Sequence, residues 1–236
     1  MSGLAVAYAV SAALANVIGA LTVTSGARWS VQALDRMLAF AAGFLLSVAF
    51  VDLLPEAYER GGRTGAMVVL ASFLLVHLTQ HSIGRHFHFG EERHEVSRMT
   101  SGSALIGLLL HTFVDGVAVA SGLFVSRAVG ALVFIGVVLH KLPEGLAISS
   151  LFMASGATKR AALGAATALG VATIFGVVLT DAVEGLRTYG MAISAGVTIY
   201  VGASNLVPEL QKRGGWETPV SFVAGCGAYF LSRLAL

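Results

Sequence analysis

The chain has 236 residues, of which 56% are hydrophobic and only 12% are charged, and its mean hydropathy is +0.81. Soluble globular domains carry about a quarter charged residues, so this composition excludes an ordinary soluble protein. The formal net charge is +2, and the sequence contains no dense basic tract interleaved with aromatic residues. This argues against a nucleic-acid partner.

Long apolar runs predict an all-α, polytopic integral membrane protein that sits in a lipid bilayer. A helix needs about 20 mostly apolar residues to cross a bilayer, and eight such runs succeed one another. The first run starts without a basic segment before it, which indicates a retained span rather than a cleaved signal. We expect a single transmembrane domain over residues 1–236. The predicted spans are residues 4–24, 33–58, 65–84, 101–124, 128–153, 159–183, 188–211 and 217–235.

The distribution of positive charge between the spans predicts the orientation. Lys and Arg are enriched in cytoplasmic loops, and the larger of the two sets in this chain lies on the side away from both termini. We therefore expect both termini to be extracytoplasmic, in a cytoplasmic (plasma) membrane. The larger set is Arg28, Arg36, Arg85, Arg93, Arg98, Lys159, Arg160, Lys212 and Arg213, and the smaller is Arg60, Arg63, Arg127, Arg187 and Arg233.

The ends of the second and seventh spans carry matching segments. Asp52-Leu53-Leu54-Pro55-Glu56 closes the second span and Asn205-Leu206-Val207-Pro208-Glu209 closes the seventh, on opposite sides of the membrane. This predicts a 3+2+3 arrangement, in which spans 1–3 and 6–8 are inverted repeats around the central pair 4 and 5, a common transporter plan. Asp52 and Glu56 are candidate entrance groups, and Asn205 and Glu209 are candidate exit groups.

The longest polar loop, residues 85–98, is rich in histidine and acidic residues. By the predicted orientation it is cytoplasmic. Its His86, His88 and His94 are typical of a short tract that binds metal weakly as a receiver or sensor. A solvated linker that happens to contain histidines explains the same residues, and the sequence leaves both interpretations open.

Two segments of spans 4 and 5 repeat one pattern of a histidine and a carboxylate four residues apart. That spacing puts both side chains on one helical face, and ionisable groups at membrane depth are functional by default. Two such faces turned together offer four ligands to a divalent cation, zinc above all, with manganese, iron or cadmium as alternatives. The ion is cargo and no cofactor is expected. The candidate ligands are His111, Asp115, His140 and Glu144.

Residues beside these candidate ligands predict the local helix geometry. Pro143 lacks a backbone N–H, and its ring opposes the carbonyl of Leu139, which predicts a kink next to His140. Gly116 and Gly145 directly follow the two carboxylates, and they predict a close approach of helices 4 and 5 to each other.

The two segments resemble the fourth and fifth transmembrane helices of the prokaryotic type of ZIP (Zrt/Irt-like) divalent-metal transporter. The resemblance extends to the eight spans, the termini outside, the histidine-bearing loop and the Leu-Leu-Pro-Glu type of ending. It implies uptake of zinc or a similar metal into the cytoplasm by alternating access, with helices 1, 4, 5 and 6 moving against 2, 3, 7 and 8, and it implies a homodimer. The residues that match the two helix motifs are His111, Asp115 and Gly116, and His140, Glu144 and Gly145.

Two positions depart from the binuclear form of that pattern. Thr112 stands where Asn is usual, and Lys141 stands where an acidic ligand of a second metal can occur. An ammonium group has no lone pair for a cation and repels it, so we expect one metal. Lys141 then takes the electrostatic place of the second ion and pairs with Asp115 or Glu144. A purely structural ion pair, or a lysine that snorkels to the interface, remains the alternative.

Two other classes of function compete with transport. A membrane-embedded zinc-dependent hydrolase would use the same ligand types to activate water, and a metal-sensing membrane protein would bind the ion without moving it. The sequence contains no Gly-x-Ser-x-Gly segment and no glycine-rich phosphate loop. We therefore expect a transporter that is not an enzyme and is not driven by ATP.

Overall fold

The computed structural model describes residues 3–26, 30–83, 98–208 and 215–236, and within these ranges it contains helices and no strands. Two short π-helical segments, π1 and π2, each continue an α-helix. The elements are α1 Gly3–Thr24, α2 Val31–Val48, π1 Ala49–Leu53, α3 Leu54–Ile83, α4 Arg98–Val125, α5 Arg127–Ala154, α6 Lys159–Ala182, α7 Glu184–Ile199, π2 Tyr200–Leu206 and α8 Glu217–Ala235.

Among the described residues, five helical stretches are long and apolar enough to cross a membrane. They confirm the all-helical membrane class, whereas the count of eight spans stays a prediction. One stretch, Gln32–Thr79, is too long for a single crossing, and the chain turns within it at Gly62, whose φ of 52° favours glycine. The predicted spans 33–58 and 65–84 lie on either side of this turn. The other four stretches are Gly3–Thr24, Ser101–Val125, Arg127–Ala154 and Lys159–Ala182.

Polar caps fix where three of the helices begin. The hydroxyl of Ser126 accepts a hydrogen bond from the backbone N–H of Val129, 3.1 Å away, at the start of α5. Ser30 and Thr158 cap α2 and α6 in the same way. Each hydroxyl satisfies one of the N–H groups that have no partner in the first turn. The central helix α5 continues across Pro143 without interruption.

The helices associate in two groups. In one group, α1 packs on α5 and α6, and α4 packs on α5 and α6; in the other, α2 packs on α8 and α3 packs on α7. Contacts of α4 with α7 and of α2 with α5 join the groups. At the two ends of the α2–α8 pair, Arg36 contacts Glu217 and Asp52 contacts Arg233, so these two helices run parallel. The pair α4 and α5 lies where the groups meet.

Gly116 and Gly145 do permit close helix contacts, but not the contact that the sequence predicted. A Cβ atom at Gly145 would lie 2.0 Å from the carbonyl oxygen of Asn16 on α1, and one at Gly116 would lie 2.0 Å from that of Thr173 on α6. The prediction that these glycines bring α4 and α5 together is wrong. The Asp115 carboxylate faces α5, while Gly116, about 100° further round the helix, faces α6.

We expect Gly145→Ala to lower the melting temperature of the detergent-solubilised protein by roughly 2–10 °C, because the added methyl group overpacks the α1–α5 contact. The matched control is Gly164→Ala in the first third of α6, where a Cβ atom would meet nothing within 4 Å. Equal melting temperatures for the two variants would show that α1 does not pack on α5 this closely.

Candidate metal centre

Helices α4 and α5 each turn a histidine and an acidic residue toward their shared contact. His111 and Asp115 lie on one face of α4, and His140 and Glu144 lie on one face of α5, as their spacing requires. Asp115, His140 and Glu144 are each less than a tenth exposed. Burial of this kind is costly for ionisable groups unless they have partners, and each of these three side chains has a polar contact within 3 Å.

Three of the four predicted ligands come together in a compact cluster. One carboxylate oxygen of Asp115, Oδ2, lies 3.1 Å from Nε2 of His140 and 3.6 Å from Nε2 of His111. One ligand atom from each of the three residues lies within 4.8 Å of the others. Two imidazole nitrogens and a carboxylate oxygen at this separation are a donor set that zinc uses, and three protein ligands leave a coordination position open.

The hydrogen bond on the far side of His140 orients its ring. Its Nδ1 lies 2.9 Å from the carbonyl oxygen of Gly136, which only accepts, so Nδ1 carries the proton and donates it. A neutral ring then turns the lone pair of Nε2 toward the Asp115 carboxylate. Two acceptors that face each other are satisfied by a proton or a cation between them. This pattern, a histidine ligand fixed by a backbone carbonyl, is common in metal sites.

Lys141 is fully buried and joins the two carboxylates. Its Nζ lies 2.6 Å from Oδ2 of Asp115 and 2.7 Å from Oε2 of Glu144. The predicted pairing with Asp115 or Glu144 is confirmed, and the ammonium group contacts both rather than one. One ammonium group stands beside two carboxylates, so Lys141 alone compensates only part of the charge of Asp115 and Glu144.

Glu144 and Thr112 are placed differently from the three clustered residues. Glu144 is outside the compact cluster; its Oε2 accepts from Lys141, while its buried Oε1 has no hydrogen-bond partner among the described residues. Its role as a fourth ligand stays a prediction. The buried hydroxyl of Thr112 donates within its own helix, to the carbonyl oxygens of Leu108 and Leu109 at 2.9 and 3.1 Å.

The comparison with family models covers this cluster and the helices that build it. The model described as ZIP Zinc transporter matches residues 80–231, which is more than half of the chain. The chain belongs to the ZIP zinc transporter family. A search of curated proteins finds no match. ZIP proteins are transporters rather than enzymes, so this chain is an integral membrane protein of metal-ion transport.

The predicted entrance residues of this ZIP protein lie in ion pairs. The Asp52 carboxylate accepts a hydrogen bond from the Tyr229 hydroxyl at 2.6 Å and lies 3.1 Å from a guanidinium nitrogen of Arg233. Glu56 pairs with Arg60 one turn further along α3. Sequence reasoning missed Tyr229 and Arg233, because no motif links positions so far apart and only the packing of α8 on α2 brings them to Asp52.

The remaining predicted ligands lie outside what the structure describes. The loop histidines His86, His88 and His94 fall between residues 84 and 97, and Glu209 falls between 209 and 214. Asn205 belongs to π2, but its side chain is not described. The proposed roles of these residues in the ZIP protein, weak metal binding in the loop and exit of the ion, therefore stay predictions.

Proposed function

We propose that this ZIP family protein takes up a divalent metal cation, which its donor set indicates is zinc, into the cytoplasm through the centre between α4 and α5. The observation that carries the proposal is the cluster of His111, Asp115 and His140, whose ligand atoms lie within 4.8 Å of one another in the interior of the helix bundle. Glu144 is the fourth ligand. It reaches the ion once its contact with Lys141 loosens.

The donor set supports zinc as the cargo. Imidazole nitrogen and carboxylate oxygen together suit zinc, whereas magnesium and calcium prefer oxygen ligands alone. Cadmium, iron and manganese accept the same ligands and are the alternative cargoes. A lysine beside the cluster supports one bound ion, since the ammonium group and a second cation would repel each other.

Matched helix contacts support the inverted 3+2+3 repeat. A Cβ atom at Gly43 on α2 would lie 2.1 Å from the carbonyl oxygen of Phe222 on α8, and one at Gly196 on α7 would lie 2.2 Å from that of Val69 on α3. The same number of positions separates Gly43 from Gly196 and Val69 from Phe222. It also separates Asp52 from Asn205 in the matching span ends. Contacts related in this way are what an inverted repeat produces.

The uneven burial of α4 supports alternating access. Every residue from Asp115 to Gly122 is buried, whereas none from Leu105 to His111 is. The centre thus lies where α4 passes from a fully buried segment to a partly exposed one, and the partly exposed segment leads toward the loop after α3. In the predicted orientation the fully buried segment lies on the outer side of the centre. The ion then reaches the centre from outside when α1, α4, α5 and α6 move against α2, α3, α7 and α8.

A zinc hydrolase and a metal sensor are the competing functions. A three-ligand centre with an open position is compatible with hydrolysis, and either rival would bind zinc. The family match favours transport over both. Orientation with both termini outside, the plasma membrane as location, and a homodimer complete the proposal, from the charge distribution and the family resemblance.

Zinc uptake into proteoliposomes tests the proposed function. Vesicles that contain the purified protein and a trapped zinc-sensitive dye should show saturable uptake that empty vesicles lack. A sensor or a hydrolase would bind zinc at the membrane without moving it inside. Binding without any rise in the trapped signal, in vesicles whose protein is folded, would overturn the proposal.

A further inference from the structure

A closed triangle of polar contacts joins π1 to α8 at some distance along the chain from the metal centre. The Tyr229 hydroxyl lies 2.6 Å from Oδ2 of Asp52, a guanidinium nitrogen of Arg233 lies 3.1 Å from Oδ1, and the same nitrogen lies 2.8 Å from the Tyr229 oxygen. Both oxygens of the carboxylate therefore have a partner. The guanidinium charge beside Oδ1 compensates the carboxylate and repels a second cation that approaches Asp52.

The three side chains of this triangle differ in their exposure to solvent. The Asp52 side chain is 5% exposed and Tyr229 is fully buried, while the Arg233 side chain is 47% exposed. Tyr229 is held edge-on against the Phe44 ring at 5.9 Å. The ring of Tyr229 is thus fixed, whereas the guanidinium group has room to leave the carboxylate and enter solvent. Arg233 is the movable partner.

We propose that Arg233 is a resident counter-ion of Asp52, which an incoming metal cation displaces before it moves on to the metal centre. Asp52 is then an entry group whose negative charge becomes available only when the arginine swings out. This inference rests on the proposed function of cation uptake. Arg233 acts through Asp52 and sets how readily cations are captured, so it is a positioning residue rather than a ligand.

A structural clamp between α2 and α8 is the simpler explanation of the same contacts, and the chain supplies a control for it. Arg36 on α2 and Glu217 on α8 form a second ion pair between these helices, at 3.3 Å, with both side chains about half exposed. Arg36→Gln removes the same charge and an ion pair between the same helices, but at the other end of the pair. If the contacts only hold the two helices together, Arg36→Gln and Arg233→Gln should change the KM for zinc uptake in a similar way.

The experiment measures KM and kcat for zinc uptake in proteoliposomes for wild type, Arg233→Gln, Asp52→Asn, the double variant and Arg36→Gln. Arg233→Gln should lower KM about two- to fivefold, because the loss of one partly exposed charge pair leaves Oδ1 of Asp52 free for the cation. In the Asp52→Asn background the same change should leave KM unaltered. Arg36→Gln should leave KM at the wild-type value.

Each outcome decides between the explanations. An unchanged or raised KM in Arg233→Gln, or a fall in KM of equal size in the Asp52→Asn background, would overturn the counter-ion role. Matching changes in Arg233→Gln and Arg36→Gln would favour the clamp and overturn it as well. Absence of uptake by the wild type would instead mark a failure of the proposed function itself.

Discussion

Asp115→Ala and His140→Ala are each expected to reduce saturable zinc uptake to the level of empty vesicles. Each removes one of the three residues whose ligand atoms lie within 4.8 Å of one another. A centre with three close ligands has no spare donor in this conformation, so the loss of one leaves too few for tight binding. The measurement is the initial rate of uptake over a range of zinc concentrations.

Two further variants distinguish the loss of a metal ligand from misfolding of the protein. Asp115→Asn keeps the volume and one oxygen of the side chain while it removes the charge that Lys141 and His140 contact. It should also be inactive, yet remain in the membrane. His77→Ala replaces an exposed histidine of α3 and should transport like wild type. Wild-type kinetics in both Asp115→Ala and His140→Ala would rule out this centre as the transport site.

Lys141→Glu is expected to raise the number of tightly bound zinc ions from one to two. The substitution removes the ammonium group that lies 2.6 and 2.7 Å from Asp115 and Glu144, and it adds a third carboxylate beside them. A second cation then neutralises charge that the lysine neutralises in the wild type. Metal analysis of the purified protein, after removal of loosely bound ions, gives the stoichiometry.

Two control variants are expected to bind a single zinc ion, as the wild type does. Lys141→Ala frees Asp115 and Glu144 without a new ligand, so it should hold one ion more tightly and release it more slowly, since a too stable bound state slows exit. Lys159→Glu makes the same charge reversal at an exposed position of α6 and should change nothing. A wild type that already binds two ions between α4 and α5 would refute the role given to Lys141.

The sequence was sufficient to predict the membrane class and the side chains that share a face on α4 and on α5. Apolar runs near 20 residues predict spanning helices because the bilayer has a fixed thickness. The spacing of His111 and Asp115, and of His140 and Glu144, predicts which side chains share a face, because the period of the helix is fixed. Both predictions depend only on residues close together in the chain.

Features that depend on which helices become neighbours could not be predicted in this way. The glycines beside the carboxylates pack on α1 and α6, a choice set by the arrangement of the whole bundle. The reach of Lys141 to Asp115 as well as Glu144, and the contact of Asp52 with Tyr229 and Arg233, likewise join distant positions. The helical period predicts which residues share a face of a helix, but it does not predict which other helix packs against that face.

Anomalous scattering at the zinc edge, from crystals of the wild-type protein grown with zinc, tests the central claim most directly. We expect one strong peak between α4 and α5, within about 2.0–2.2 Å of the ligand atoms of His111, Asp115 and His140. A protein that transports zinc yet shows no peak at these three residues, with scattering elsewhere in the bundle, would contradict it.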